Sequence, residues 1–204
     1  SSYIVKQKGP INCEVHLPGS KSYSNRALLI AGLAEGKSVL KHLLESDDTR
    51  VMKKALRAIG VDNEDTELGT IVKGTGGAFK KPVDELNLQN AGTATRFLTT
   101  TCSLIPGEVV VTGNERMQQR PIQDLLDGLV QLGVQCKSKT GCPPIEIKGP
   151  SLKGGLTVIS GKISSQYISS ILISAPYAEK PVTIQIKDEL VSKPYVDVTL
   201  DIMK

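Results

Sequence analysis

The order of apolar and polar positions divides the chain into three similar stretches. Three segments are almost wholly small or apolar, and each opens with hydroxyl or amide residues: SKSYSNRALLIAGLA from Ser20, NAGTATRFLTTTCSL from Asn90 and ISSQYISSILISAPYA from Ile163. Their starts lie about seventy residues apart, a regular interval for a repeated supersecondary unit. A helix that is apolar nearly all round belongs in an interior, so each segment is predicted to be a buried helix. A short β-branched run follows each: KSVLKHL, GEVVVTG and KPVTIQI. After each run comes a second helix with one apolar side. The first starts from Asp48 and aligns Val51, Met52, Ala55, Leu56 and Ile59. The second starts from Pro121 with Ile122, Leu125, Leu126, Leu129 and Leu132, and the third from about Pro194 with Val196, Thr199, Leu200 and Met203. Pro121 and Pro194 suit a first helical turn, and Gly60 and Gly133 suit a C-terminal stop.

Further strands are predicted around Val61 to Asn63, Thr70 to Lys73, Val134 to Ser138 and Ile145 to Lys148. The unit therefore reads strand, helix, strand, helix and two strands, an α/β (α+β) architecture. By that template the third unit stops at Lys204 inside its second helix. The expectation is a truncated third unit, with a sheet edge or apolar surface left open, modest stability and a tendency to self-associate.

Composition narrows the function classes. The 204 residues can bury a substantial core. No run of eighteen apolar residues suggests a membrane span, and nothing in SSYIVKQKGPINCEV reads as an export signal, which points to the cytoplasm. Lys and Arg number 25 against 21 Asp and Glu, a dispersed excess of +4, and aromatic residues are 3%. That is not the clustered, aromatic-rich charge of a nucleic-acid binder. Cys13, Cys102, Cys136 and Cys142 keep no metal-ligand spacing and read as reduced thiols, Cys102 in the core. His16 and His42 have no partner at ligand spacing, so zinc hydrolysis and Ser-His-Asp chemistry are poorly supported. No metal and no cofactor is expected.

The openings of the three buried helices carry the chemistry. One Ser or Asn at a helix start is ordinary capping of free amides. Capping does not require the clusters present here, and a helix N-terminus also attracts phosphate and carboxylate. The first cluster, Leu17 to Arg26, is the richest: Gly19 allows close backbone approach, and Lys21 and Arg26 place cations where the helix dipole opposes them. Ala31 to Ser38 imitates a nucleotide P-loop, but Ala31 replaces the first glycine and the segment ends a helix instead of joining a strand to one. Gly113 to Pro121 holds Arg116 and Arg120, either an anion clamp or a surface loop with a Glu115 ion pair.

Taken together, LPGSKSYSNRALLIAGLAEG, NAGTATRFL, GNERMQQRPI, ISSQYISSILISAP and LVSKPYVDVTLDIMK closely resemble the 5-enolpyruvylshikimate-3-phosphate synthase family, in order over nearly the whole chain. The likeness is to the first globular half of such enzymes. Phe97, where many bacterial and plant members carry Pro, leans toward the fungal multifunctional versions. Members transfer the enolpyruvyl group of phosphoenolpyruvate to the 5-hydroxyl of shikimate 3-phosphate and release phosphate. The resemblance implies three βαβαββ units in each half, an active site in the cleft between halves, and residues 1–204 as a single N-terminal, shikimate-3-phosphate-binding domain whose second domain is absent.

Carried over by motif, Lys21 is implied to contact both substrates and to be the catalytic candidate. Ser22 and Arg26 are implied for shikimate 3-phosphate, Ser164, Ser165 and Gln166 for its phosphate and ring hydroxyls, and Ser192 and Tyr195 for the same side. Asn90, Gly92 and Arg116 are implied for phosphoenolpyruvate, with Gly92 where larger residues crowd the inhibitor glyphosate. In the family the proton-shuttling Asp, Glu and Lys come from the second half, so this chain is expected to be inactive without it. The rival readings are a UDP-N-acetylglucosamine enolpyruvyl transferase-like domain, against which the SSQY and SKPY stretches speak, and a non-catalytic anion-binding domain.

Overall fold

The computed structural model describes residues 2–7 and 9–204. The described residues before Lys21 carry no helix or strand, and Ile11, Val15 and Leu17 lie exposed there. The first unit then consists of α1 (Lys21–Leu33), β1 (Glu35–Leu40), α2 (Asp47–Ala58), β2 (Asp62–Thr66) and β3 (Gly69–Thr75). The second is β4 (Leu86–Asn87), α3 (Gly92–Thr101), β5 (Gly107–Thr112), α4 (Gln123–Gln131), β6 (Gln135–Ser138) and β7 (Ile145–Gly149). The third is β8 (Gly155–Ile159), α5 (Ser165–Ser174), β9 (Val182–Ile186) and α6 (Lys193–Met203).

The middle unit therefore realises the full βαβαββ order. Two strands escaped the sequence reading: β4 of the middle unit is too short to show a period, and β8 of the third opens on glycine, at Gly155 after Gly154. The helix after Pro121 begins two residues later, at Gln123, whereas Pro194 does sit in the first turn of α6.

Each unit contributes one sheet. The first orders β1-β3-β2, all antiparallel. The second orders β4-β5-β7-β6, parallel only between β4 and β5, and the third pairs β8 with β9 in parallel. Sheet hydrogen bonding uses up the strand backbones, so their apolar faces close on the helices. The three low-polarity helices lie inside: α3 packs on α1 and α5, and α6 closes the group against α1 and α5. Leu28, Leu29, Leu98, Phe97, Tyr167 and Ile171 are all at most 2% exposed, as the sequence pattern requires of buried helices. On α6, Val196 and Thr199 are buried but Leu200 is not, and Leu156 and Val158 of β8 also face outward. No helix of the described residues is long and apolar enough to cross a membrane.

Buried hydroxyls bind the helices to one another. Thr100 meets Ser170 at 2.5 Å and Thr101 meets Ser174 at 3.2 Å across the α3–α5 seam. Small side chains let these helices approach closely, and each hydroxyl finds a partner, which avoids the penalty of a buried unsatisfied group. All three buried helices consequently run side by side with their N-termini at one end of the molecule, where the site lies.

Candidate functional site

The chain before α1 sets the first edge of the site. A Cβ on Gly19 would meet the backbone of His42 and Leu44, so only glycine lets that segment pass under the β1–α2 connection. The Leu44 N–H donates to Ser24 Oγ on α1 at 2.9 Å, fixing the same contact. The next helix, α2, opens on a capping box between Ser46 and Thr49, which presents Asp48 in its first turn. Lys21 Nζ then stands 3.6 Å from Asp48 Oδ1.

Capping does not explain the polar residues at the other starts. Ser20 before α1 and Ala91 before α3 make no side-chain cap, and among the three only Ser164 does, accepting from the Gln166 N–H at 3.2 Å. The hydroxyls and amides at these helix starts are therefore available to something other than their own backbones.

All three starts, with the start of α6, line one cavity of 540 Å³. Of the eleven residues singled out in the sequence, ten lie on its wall: Lys21, Ser22, Arg26, Asn90, Gly92, Ser164, Ser165, Gln166, Ser192 and Tyr195. Arg116 does not. It is exposed at the start of a short 3-10 turn, Met117–Gln119, and that turn carries the chain round so that Arg120 faces the cavity instead. The Tyr167 hydroxyl fixes this geometry by donating to the Pro121 carbonyl at 2.9 Å. Two arginines four positions and one turn apart point to different places, and the sequence alone did not say which faces inward.

Arg96, in the middle of α3, is a cavity-wall residue the sequence reading passed over. Its Nη1 donates to the Gly92 carbonyl at 3.2 Å and to Gln166 Oε1 at 3.0 Å, and its guanidinium stands 5.7 Å from the Tyr167 ring. Its Nε is buried and meets no acceptor among the described residues. The signal was present in NAGTATRFL, where an Arg interrupts an otherwise uncharged buried helix.

The cavity wall carries four cations, Lys21, Arg26, Arg96 and Arg120, against one carboxylate, Asp48. Burial pulls the Arg120 guanidinium below its ordinary value, Arg96 pushes the same way, and Asp48 and Tyr167 oppose them. Arg26 is 1% exposed and lies 5.1 Å from the Phe97 ring centre. Burial pulls it down too, with Tyr195 and Tyr23 opposing. Both guanidiniums stay charged, because arginine does not deprotonate in proteins. The site is thus an excess of fixed positive charge beside hydroxyls, amides and helix N-termini, which selects a ligand with several negative charges. Ser192, at φ 58°, holds a left-handed backbone that costs a non-glycine residue about 1 kcal/mol or more, a strain that gathers at binding sites.

Comparison with known proteins shows the family and the fold. Residues 5–204 match the family model described as EPSP synthase (3-phosphoshikimate 1-carboxyvinyltransferase). The chain is 48% identical over 202 residues to a 3-phosphoshikimate 1-carboxyvinyltransferase of Colwellia psychrerythraea, covering 96% of this chain and 47% of that protein. It is 49% identical over 208 residues to the Aliivibrio salmonicida protein of the same name, covering 99% and 49%. The chain spans about half the length of the curated relatives it matches. Among solved structures, an EPSP synthase from Acinetobacter baumannii superposes with a TM-score of 0.77 at 29% identity, covering 86% of this chain and 40% of that one. These three sources are bacterial, and the leaning toward fungal versions rests on Phe97 alone.

Proposed function

Because the chain belongs to the EPSP synthase family of enolpyruvyl transferases, we propose that residues 1–204 are the substrate-gripping domain of a 3-phosphoshikimate 1-carboxyvinyltransferase. The observation that carries this is the convergence of three helix starts, far apart in sequence, on one cavity with four cations and a single carboxylate. The proposed reaction moves the enolpyruvyl group of phosphoenolpyruvate to the 5-hydroxyl of shikimate 3-phosphate and releases phosphate. Both substrates carry a phosphate and a carboxylate, which matches the charge of the wall.

Ser164, Ser165, Gln166, Ser192 and Tyr195, on the side of α5 and α6, hold shikimate 3-phosphate together with Ser22 and Arg26. Asn90, Gly92, Arg96 and Arg120, around the start of α3, take phosphoenolpyruvate, with Arg120 in the role that the resemblance had given Arg116. Lys21 lies between the two groups. Forming and collapsing a tetrahedral intermediate needs positioned proton donors and acceptors. The wall described here offers Lys21 and Asp48, already paired with each other, so further acid–base groups belong to a second domain facing this cavity. The four free thiols suit a reducing, cytoplasmic compartment.

Calorimetric titration with shikimate 3-phosphate tests the reading. Binding should weaken as salt is raised, and Lys21→Ala, half exposed and outside the core, should lower affinity about tenfold or more without changing the melting temperature. Equal affinity in parent and variant would overturn the assignment.

A further inference from the structure

The Arg26 guanidinium is the one buried cation of the site whose contacts come from all three units. It sits on α1, stacks on Phe97 of α3, and is held by α5 and α6. Its Nε donates to Thr199 Oγ1 at 2.7 Å, its Nη1 to the Ser22 carbonyl at 3.0 Å, and its Nη2 to Ser169 Oγ at 3.2 Å and the Tyr195 carbonyl at 3.3 Å. Thr199 and Ser169 are both 0% exposed, and neither lines the cavity. They also meet each other at 2.8 Å, while the Thr199 hydroxyl reaches the Tyr195 carbonyl at 2.9 Å.

A hydroxyl has one proton and two lone pairs. Nε–H offers Thr199 a proton and has none to receive, so Thr199 must accept there. Its own proton can then go to Ser169 Oγ or to the Tyr195 carbonyl. Either choice leaves one Nη1 proton of Arg26, a residue on the cavity wall, without a recorded acceptor among the described residues. Nε fixes the roll of a planar guanidinium, because it is the fork's only donor on the stem. The hydrogen bond at Nε, together with those at Nη1 and Nη2, therefore sets where the uncommitted proton points.

We propose that Thr199, supported by Ser169, is a positioning residue that aims the Arg26 guanidinium at the anionic ligand. The ligand named here, shikimate 3-phosphate, rests on the function proposed above; the positioning itself rests on the hydroxyl geometry. Thr199 touches no ligand under this reading and acts only through Arg26. It also couples the third unit to the first, since α6 supplies the acceptor that orients a side chain on α1.

The test uses Thr199→Val, which keeps the shape and removes the hydroxyl, and Thr199→Ser, which keeps the hydroxyl. Each purified protein is titrated with shikimate 3-phosphate and, separately, with inorganic phosphate, and the exchange of the Arg26 Nε proton is followed by nitrogen-15 NMR. The expected result is affinity about tenfold weaker in Thr199→Val and within about twofold of the parent in Thr199→Ser, the size of one lost charge-assisted hydrogen bond. The Nε proton should exchange faster in the Val variant only. Parental affinity in Thr199→Val, or an unchanged exchange rate, would overturn the proposal. If the parent binds phosphate but not shikimate 3-phosphate, the proposed substrate is wrong, and the phosphate affinities of the same variants decide the positioning claim. Binding of neither ligand by the parent would sink both. Should Thr199→Val not fold, Ser169→Ala is read against the same outcomes through Nη2.

Discussion

Two buried cations in this molecule are solved in opposite ways. Lys53 of α2 is 3% exposed, and its ammonium lies 2.8 Å from both Glu45 Oε1 and Asp65 Oδ1. Arg26 is buried as deeply, but its partners are hydroxyls, carbonyls and aromatic faces, with no carboxylate among its contacts. For Lys53, burial pulls the ammonium down, yet its hydrogen bonds to Asp65 and Glu45 and their negative charges together outweigh it and hold its pKa above the ordinary value. For Arg26, nothing of that kind reverses the pull of burial. A protein that neutralises a buried cation with its own acids has used that charge for structure. One that surrounds a buried cation with neutral acceptors keeps the charge for a ligand, and accepts a less stable unliganded state.

The sharpest way to break that contrast is Arg26→Met. A methionine approximates the buried volume without the charge, and replacing a buried ion by an apolar group of similar size is often neutral or stabilising. Thr199 still has the Ser169 hydroxyl and the Tyr195 carbonyl as acceptors. Affinity for shikimate 3-phosphate should fall by roughly a hundredfold or more, the scale of losing a desolvated charge contact, while the chemical-denaturation midpoint holds or rises. A clear loss of stability with binding intact would place Arg26 beside Lys53 as a structural cation.

A smaller effect sharpens the division of the cavity between two anions. A Cβ on Gly92 would lie 2.5 Å from Arg120 Nη1 and 2.9 Å from Arg96 Nη1. Arg96 is tied to the Gly92 carbonyl and Gln166, so Arg120, the freer of the two, is the side chain that must move. Gly92→Ala should therefore weaken phosphoenolpyruvate about tenfold, one displaced charge-assisted contact, and leave shikimate 3-phosphate within error. Equal loss of both ligands in titrations would mean that the two halves of the wall are not separate.

Much of this was legible in the sequence, for reasons that can be named. The buried helices announced themselves because an apolar helix with a polar opening has few other places to go. Their polar openings pointed to anion binding, and α1, α3 and α5 bring Lys21, Gly92 and Ser165 to one wall. What failed was direction. Arg116 and Arg120 differ only in which side of a 3-10 turn they occupy, and that is set by the Tyr167–Pro121 contact from another unit. Thr199 was legible as a buried position on α6, but a threonine in an apolar stripe does not reveal that its hydroxyl meets an arginine 173 residues away. Lys53 was invisible for the same reason: Glu45 and Asp65 reach it from a loop and a strand, not at helical spacing.

The Lys53 cluster supplies the converse variant and the smallest expected change. Lys53→Met should leave both ligands bound as in the parent and lower stability by about 1–2 kcal/mol, discounted because Glu45 and Asp65 are mostly exposed and turn to water when the ammonium is gone. The pH dependence identifies the source of that loss. Hydrogen bonds from Lys53 and Thr70 hold the Asp65 carboxyl below its ordinary 3.8. A carboxyl depressed in the folded state stabilises above its unfolded pKa and ceases to do so as pH falls through the folded one. The ammonium, raised above its ordinary 10.5, stabilises below that value and stops as pH rises through its folded pKa. The gap between parent and Lys53→Met, followed by urea denaturation, should therefore be widest at neutral pH and close toward both extremes. A gap that stays constant from acid to alkali would assign the loss to packing of the lysine stem, and the contrast with Arg26 would then be one of shape instead of charge.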